Sequence, residues 1–268
     1  MGSSLRLTVL GSATPYPAAG NPCSGYLLEG GGVRVWIDAG SGTLGELRRY
    51  VGLGELDAVW VSHLHADHSA DLLTAYYGLL YADVRRDAPL PLFGPPGIAD
   101  RLAGFLTNGA TRSPVERAFE IDELHDGHVV RLGGLTLVSR RVEHGGLDAF
   151  GVRVEGSDGA VLAYSGDSEP CPSLVELARD SGLFLCEADG EGEGHHSPEE
   201  AGRSAAEAGV ERLLVTHVGP SITPEAAVRR AAAEFGGPVE YAGPGRSFTV
   251  TRRSRTPGRT TTSPASSR

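Results

Sequence analysis

One short segment of the chain concentrates residue types that bind metal ions. His63, His65, Asp67 and His68 supply four potential ligands within six positions, directly after the apolar run Ala58–Val61. In an extended strand end, residues two apart face the same side, so we expect His63 and His65 to bind one ion. Asp67 and His68 lie in the turn that follows and can reach a second ion. Two neighbouring ions make hydroxide available near neutral pH, so the spacing indicates hydrolysis.

Three further ligand-type residues stand where an apolar run reaches a glycine-containing loop. They are His144, Asp167 and His217. Metal centres in layered α/β folds are assembled from several loops at one edge, so we expect these residues to complete a site for two divalent ions. Mixed nitrogen and oxygen ligands favour zinc, with manganese or iron as alternatives.

The elements that must position these residues are short strands with helical patterns between only some of them. The predicted strands are Leu5–Leu10, Gly25–Leu28, Val33–Ile37, Ala58–Ser62, Leu135–Val142, Phe150–Val154, Val161–Tyr164, Leu183–Cys186 and Leu213–Thr216. The predicted helices are Thr43–Tyr50, Ala70–Tyr81, Ile98–Leu106, Pro172–Arg179, Pro198–Ala208 and Pro224–Phe235. Because the first half is rich in consecutive strands, we predict two mixed β-sheets covered by helices.

The composition favours one domain and a small-molecule substrate. A chain of 268 residues with 40% hydrophobic residues can bury a large core, and we place the domain at residues 1–251. The net charge of −10 repels polyphosphates, so nucleic acid is not an expected partner. Residues 252–268 are rich in Arg, Ser, Thr and Pro, and we expect a disordered tail there.

The cysteines and the hydropathy pattern favour a cytoplasmic protein. Cys23, Cys171 and Cys186 form no C-x-x-C pair, so neither a disulfide framework nor a thiolate zinc site is indicated. No apolar run approaches about 18 residues, so we expect no membrane span. The stretch Tyr76–His125 is hard to interpret, and its predicted helices are candidates for covering the site or for forming a homodimer surface.

The chain from Leu5 to Val250 resembles the metallo-β-lactamase-fold hydrolases, whose H-x-H-x-D-H motif is matched by residues 63–68. The resemblance implies an α/β (α+β) fold, a four-layer αββα sandwich. It also implies the ligands of two divalent ions: His63, His65 and His144 for the first, Asp67, His68 and His217 for the second, and Asp167 as a bridge. A bridging carboxylate suits two dications because its oxygens offset their mutual repulsion.

A second motif predicts a proton donor. Residues 194–201 resemble the H-x-[ST] motif of the ribonuclease Z-like and related phosphodiesterase branches of this fold. By that resemblance His195 is the general acid for an alkoxide leaving group, and the adjacent His196 is the alternative. We expect Asp67 and His195 to be catalytic, with Glu187 orienting the acid from a neighbouring strand end.

Two further carboxylates are candidates for holding the metal-bound imidazoles in place. Such imidazoles usually donate their second N–H group to a carboxylate, and Asp38 and Asp71 are suitably placed in the sequence. Each also has a simpler explanation. Asp38 precedes a glycine-containing turn, and Asp71 suits the first turn of a helix.

Phosphodiester hydrolysis is the function that these motifs favour, with a small cyclic nucleotide or another cyclic phosphodiester as substrate. Segments His63–Asp71, Tyr164–Asp167 and Val210–His217 resemble the atypical cyclic-nucleotide phosphodiesterases of this fold. Hydrolysis of an ester, thioester or lactone is the alternative. Processing of tRNA 3′ ends ranks third, because the short interval between His144 and Asp167 lacks the long insertion of the tRNA-processing enzymes. A non-catalytic scaffold would need a defect elsewhere, since all seven ligand positions are filled.

Overall fold

The computed structural model describes residues 4–82, 84, 86–190 and 193–252. The expected tail therefore lies outside the described residues, except for its first residue. The strands are β1 (Leu5–Gly11), β2 (Gly25–Gly30), β3 (Val33–Ala39), β4 (Ala58–Trp60), β5 (Leu90–Gly94), β6 (Phe119–Glu123), β7 (His128–Leu132), β8 (Leu135–Val142), β9 (Ala149–Gly156), β10 (Val161–Tyr164), β11 (Leu183–Glu187), β12 (Leu213–Thr216), β13 (Val239–Tyr241) and β14 (Ser247–Val250). The α-helices are α1 (Thr43–Leu47), α2 (Ala66–Ser69), α3 (Asp71–Tyr81), α4 (Ile98–Leu106), α5 (Pro172–Ala178), α6 (Pro198–Ala208) and α7 (Pro224–Phe235), and single 3₁₀ turns occur at Leu53–Glu55 and Val115–Arg117.

Within the described residues the strands form two seven-stranded sheets, with the orders β14-β1-β2-β3-β4-β5-β6 and β13-β12-β11-β10-β9-β8-β7. In the first sheet β1 to β3 pair antiparallel, and β3 to β6 pair parallel. In the second sheet β7 to β10 pair antiparallel, and β10 to β13 pair parallel. Both sheets are mixed, which confirms the predicted architecture.

Apolar side chains divide the molecule into four layers. Trp60 and Tyr26 from the first sheet meet Phe150 and Tyr164 from the second in the central core. A second cluster lies under α1, α3 and α4 on the outer face of the first sheet. A third lies under α5, α6 and α7 on the outer face of the second sheet. This is the expected αββα sandwich, and no helix within the described ranges is both long and apolar enough to cross a bilayer.

Some elements differ from their predicted bounds. The predicted helix Ala70–Tyr81 is preceded by the separate short helix α2, which contains the end of the metal-binding motif. The strands without a prediction are β5, β6, β7, β13 and β14. Four of these five, β6, β7, β13 and β14, are the edge strands of the two sheets, where the apolar pattern is weak, and β5 lies next to the edge strand β6.

The ends of several strands meet at one edge of the sandwich. The parallel strands β10, β11 and β12 end at Tyr164, Glu187 and Thr216, so the loops that follow them open at the same edge of the second sheet. A hydrogen bond from Phe150 N to Ser62 O, 3.0 Å long, joins the second sheet to the loop after β4 in the first sheet. Residues far apart in the sequence are thereby brought together.

Candidate metal centre

The motif residues lie in a loop and a helix instead of the predicted strand end and turn. Strand β4 ends at Trp60, and His65 directly precedes α2, which contains Asp67 and His68. The strand prediction for Ser62 was wrong because its N–H donates to the Asp38 carboxylate at 2.7 Å instead of to a neighbouring strand. The chain thus leaves the sheet before the first histidine.

The first predicted set of ligands converges as expected. His63 Nε2 lies 3.0 Å from His65 Nδ1, and His144 Nε2 lies 3.3 Å from the same nitrogen. With Asp167, these residues form a group whose ligand atoms all lie within 4.8 Å of one another. Three imidazole nitrogens and a carboxylate oxygen in this arrangement suit one tetrahedral metal ion.

The second predicted set converges beside the first. His217 Nε2 lies 3.2 Å from Asp67 Oδ2, and His68 Nε2 lies 3.5 Å from the same oxygen. Asp167 belongs to both groups: its Oδ1 lies 3.2 Å from His68 Nε2, and its Oδ2 lies 3.7 Å from His63 Nε2. The shared carboxylate therefore stands where the bridge was predicted.

The unsatisfied polar atoms of the site test whether metal ions fit. His68 Nε2 and Asp167 Oδ1 are buried and accept or donate no hydrogen bond among the described residues. Buried polar atoms without a partner are rare in folded proteins, and these two face each other across 3.2 Å. Both are atoms that the predicted ligand set assigns to a metal ion. The two groups have the composition and convergence that suit divalent metal ions.

Asp38 holds the imidazole of His68 in place, as one of its two sequence interpretations predicted. Its fully buried Oδ2 accepts from His68 Nδ1 at 2.7 Å, from Tyr164 Oη at 2.7 Å and from Ser62 Oγ at 2.9 Å. In the neutral ring, a proton held on Nδ1 leaves Nε2 as the lone-pair nitrogen that faces the second group. No motif indicated the roles of these two hydroxyl groups, although Ser62 directly precedes the H-x-H-x-D-H motif and Tyr164 begins the segment Tyr164–Asp167.

Asp71 does not contact a metal-facing imidazole. Its Oδ2 accepts from Leu44 N at 2.7 Å, at the start of α1, so its expected role as an imidazole partner was wrong. A backbone group takes the corresponding role for His144, whose Nδ1 donates to Gly194 O at 2.7 Å. A carbonyl carries no side-chain signature, which explains why the sequence pattern did not predict it.

Two residues at the edge of the sandwich that holds the site have strained backbone conformations. Asp38 and His217 have φ angles of 52° and 46°, in the left-handed region that non-glycine residues rarely adopt. Each directs a side chain into the site at the end of a strand. A Cβ atom added to Gly40 would lie 1.9 Å from Asp67 O, so only glycine fits beside α2. Such strain is typical of sites where geometry is imposed by the surrounding fold.

The charges of the site are strongly coupled. Burial, together with the neighbouring His68, lowers the pKa of His63 well below its usual value, so this imidazole is neutral and free to bind a cation. Burial also lowers the pKa of His68, but Asp167 and Asp38 outweigh it and hold that pKa well above its usual value. Burial opposes the ionisation of Asp67, yet His217 and His68 keep its pKa well below its ordinary range. The Asp67 carboxylate is therefore ionised at neutral pH, which is the form that binds a cation.

The two adjacent histidines of the second motif point in different directions. His195 Nδ1 lies 2.8 Å from Glu187 Oε2 and 4.0 Å from Asp167 Oδ2, and 18% of its side chain is exposed. His196 is fully buried, where Nδ1 donates to Ser168 O and Nε2 lies 3.1 Å from Ser204 Oγ. The structure therefore brings His195, and not His196, to the metal-binding groups.

Glu187 connects His195 to the rest of the site. It is fully buried, and its Oε1 accepts from the N–H of Ser168, the residue after Asp167. Burial and the charge of Asp167 raise the pKa of Glu187 well above its usual value. A carboxyl group with a raised pKa beside an imidazole can share a proton with it, which suits a proton donor.

The sequence matches a known family over most of its length. Residues 33–218 match the model described as a Beta-lactamase superfamily domain. An uncharacterized protein of Mycobacterium tuberculosis is 40% identical over 250 residues, covering 88% of this chain and 89% of that protein. Ribonuclease Z of Mycobacterium marinum is 32% identical over 275 residues, covering 88% of this chain and 95% of that enzyme.

A solved structure matches the fold. The metallo-beta-lactamase fold protein YhfI from Bacillus subtilis is 25% identical, with a TM-score of 0.80, and the match covers 92% of this chain and 99% of that chain. The same Bacillus protein is named a probable metallo-hydrolase.

Proposed function

This chain belongs to the metallo-β-lactamase superfamily of metal-dependent hydrolases, and from that premise we propose that it is a phosphodiesterase with two divalent metal ions that acts on a small cyclic phosphodiester. The observation that carries the proposal is the position of His195, 2.8 Å from Glu187 at the border of both metal-binding groups. A proton donor there meets a need of phosphate esters with alkoxide leaving groups.

We assign each ion to the residues that converge on it. His63, His65 and His144 would hold the first ion, Asp67, His68 and His217 the second, and Asp167 both. Zinc suits this mixture of imidazole and carboxylate ligands, with manganese or iron as alternatives. When bound, the two ions supply hydroxide near neutral pH and offset the negative charge of the phosphoryl oxygens.

His195 performs the proton transfer in this proposal. Its Nδ1 is held by Glu187 Oε2, so its Nε2 is the nitrogen directed to the substrate. As hydroxide forms a new bond to phosphorus and the bond between phosphorus and the leaving oxygen breaks, Nε2–H gives its proton to that oxygen. The ring-opened product carries both the phosphate monoester and the free hydroxyl group. The contact of Glu187 with Nδ1 fixes the orientation of the ring.

Processing of tRNA is the second candidate, because the chain is 32% identical to a ribonuclease Z. The connection between His144 and Asp167 consists of β9, a short turn and β10, so it offers no arm for gripping RNA. The basic residues near this edge are paired, Arg141 with Asp148 and Arg246 with Glu240. Phosphate contacts by Arg and Lys dominate binding to nucleic acids, and this edge provides few of them.

Two substrates with different leaving groups test the role of His195. Metal-loaded wild-type protein should hydrolyse bis(4-nitrophenyl) phosphate and 3′,5′-cyclic AMP, and Asp67→Ala should lose both activities. His195→Ala should lose on the order of 100-fold or more in kcat/KM for the cyclic nucleotide, because general acids contribute about 10²–10⁴-fold. The loss for the nitrophenyl ester should be far smaller, since nitrophenolate leaves without a proton.

A matched histidine serves as the control. His125 is exposed in the connection between β6 and β7, and His125→Ala should retain both activities. An equal loss for both substrates in His195→Ala would show that this residue acts on binding or metal retention and not as an acid. Turnover of a thioester without any turnover of either phosphodiester would replace the proposal with acyl hydrolysis.

A further inference from the structure

Two buried tyrosines connect the sheets in opposite directions. Tyr26 lies on β2 of the first sheet, and its hydroxyl oxygen is 2.6 Å from Thr216 Oγ1 at the end of β12 in the second sheet. Tyr164, at the end of β10 in the second sheet, donates to Asp38 Oδ2 in the first sheet at 2.7 Å. The two rings meet edge to face, with their centroids 5.2 Å apart. The tyrosines therefore form a reciprocal pair of hydrogen-bonded bridges.

Each bridge ends at or beside a strained position of the backbone. Asp38 has a φ angle of 52°, and Thr216 directly precedes His217, whose φ angle is 46°. The pairing of β12 with β13 ends at Val215, so strand pairing on that side stops before Thr216. A strained conformation persists only where the surrounding structure imposes it. Because the β-branched side chain of Thr216 has few rotamers, its bond to Tyr26 also restrains the backbone that leads into His217.

His217 depends on its backbone more than His68 and His144 do. The Nδ1 atoms of His68 and His144 each have a hydrogen-bond partner that fixes the ring. The Nδ1 atom of His217 is buried and has no such partner among the described residues, and it lies 3.8 Å from Glu187 Oε2, beyond hydrogen-bond distance. Metal-binding imidazoles are usually oriented by a partner of this kind. For His217 the preceding chain must supply the orientation instead.

We propose that Tyr26 is a positioning residue for the second metal ion, because its bond to Thr216 fixes the backbone that directs His217 into the site. The inference rests on the two-ion site proposed above. His217 Nε2 lies 3.2 Å from Asp67 Oδ2 and 3.5 Å from Asp167 Oδ2, so a shift of His217 opens the second group of ligands. The first group consists of His63, His65, His144 and Asp167. Loss of the bond therefore weakens binding of the second ion and spares the first.

Three substitutions at this contact test the proposal by stepwise zinc titration of the metal-free full chain against a competing chelator. Tyr26→Phe keeps the ring and removes its hydroxyl group, and Thr216→Val removes the other hydroxyl group and keeps the branched shape. Each should weaken binding of the second ion about 10-fold, since partners of metal ligands typically contribute about 10–100-fold. The double variant should lose no more than either single variant, because both remove the same bond. Thr216→Ser keeps the hydroxyl group and should retain the wild-type affinities.

The substitution His217→Ala identifies which zinc step belongs to the second ion. It removes a ligand of that ion and leaves the four ligands of the first group in place. Adding Tyr26→Phe to His217→Ala should leave the affinity for the remaining ion unchanged, because Tyr26 acts through His217.

Another buried hydrogen bond between the sheets separates positioning from stability. Trp60 Nε1 donates to Ser139 Oγ at 3.0 Å, in the middle of β8. Ser139→Ala should lower the urea concentration at the midpoint of unfolding, as Tyr26→Phe does, because each leaves a buried polar group without its partner. Both zinc affinities of Ser139→Ala should equal those of the wild type, since this bond ends in the middle of a strand and not beside a metal ligand.

The possible failures have different meanings. Wild-type affinity for both zinc ions in Tyr26→Phe and Thr216→Val would overturn the role of Tyr26. Equal weakening of both zinc steps, or an equal loss of zinc affinity in Ser139→Ala, would do the same, because it would show a general effect of destabilisation. If Tyr26→Phe does not fold, Thr216→Val and Thr216→Ser make the same comparison. Failure of the wild-type chain to bind a second zinc ion would instead overturn the two-ion site itself.

Discussion

The substitution Asp38→Asn changes one atom that three donors share. Asp38 Oδ2 accepts from His68, Tyr164 and Ser62 at 2.7, 2.7 and 2.9 Å. An amide NH₂ group in that position cannot accept from them. The two hydroxyl groups can rotate and accept instead, but the neutral imidazole of His68, which is the form that binds a metal ion, would have to carry its proton on Nε2 instead of on Nδ1. Nε2 is the nitrogen that faces Asp67 and Asp167, so the proton would block a metal ligand.

The size of the effect follows from these contacts. A hydrogen bond to a charged group contributes about 1.5–3 kcal/mol to stability, and the hydroxyl groups retain part of theirs. We therefore expect the metal-free variant to lose about 2–4 kcal/mol in its free energy of unfolding. Loss of a carboxylate partner of a ligating imidazole typically weakens metal affinity about 10–100-fold. That loss should fall on the second ion, since His63, His65 and His144 keep their positions.

Stepwise zinc titration against a competing chelator measures the two affinities, and urea unfolding of metal-free protein measures stability. Asp71→Asn is the control because Asp71 contacts Leu44 N and no imidazole. This variant should lower the free energy of unfolding by about 1 kcal/mol, because it removes a hydrogen-bond acceptor at the start of a helix. Both zinc affinities should remain unchanged. Wild-type affinity for two zinc ions in Asp38→Asn would refute the reasoning, as would an equal loss of affinity in Asp71→Asn.

Two further predictions concern the surroundings of the site. Burial lowers the pKa of His196 below 6.5, so the unfolded chain binds more protons in acid and the free energy of unfolding falls as the pH drops below about 6.5. Urea unfolding of metal-free His196→Asn at pH 7.5 and 5.5 should show a smaller difference than wild type, and an equal difference would contradict this. Gly40→Ala should weaken zinc binding because its Cβ would lie 1.9 Å from Asp67 O. Gly45→Ala, with no atom within 4 Å of its Cβ, should bind zinc normally in the same titration; equal affinities in both variants would contradict the steric argument.

The fold could be predicted from the sequence where the apolar pattern was strong. Helices α4, α6 and α7 have the predicted bounds, since each shows a helical period between clear start and stop signals. Strands β6, β7, β13 and β14 had no such signal. They lie at or near the sheet edges, where polar residues are tolerated, and neighbouring strands rather than local preference hold them in place.

The residues of the candidate site could be predicted from the sequence, whereas the hydrogen-bond partners of its imidazoles could be predicted only in part. The nine residues proposed as ligands or as catalytic groups all meet at one edge, as the motifs predicted. Asp38 was correctly singled out as a partner of an imidazole, but Asp71 was not such a partner. The resemblance favoured His195 and kept His196 as the alternative. Only the structure shows that His195 faces the metal-binding groups while His196 is buried against Ser168 and Ser204.

The sequence by itself determined which chemistry is available. Imidazole and carboxylate groups bind divalent ions whatever their surroundings, and the spacing of His63, His65, Asp67 and His68 limits them to one locality. Tertiary structure decided which distant groups share an ion. Asp67 and His217 are 150 residues apart in the chain and 3.2 Å apart in space, a contact made by two packed sheets. The packing also gave His195 a buried carboxylate partner and left His196 in the core, because burial and orientation depend on elements remote in sequence.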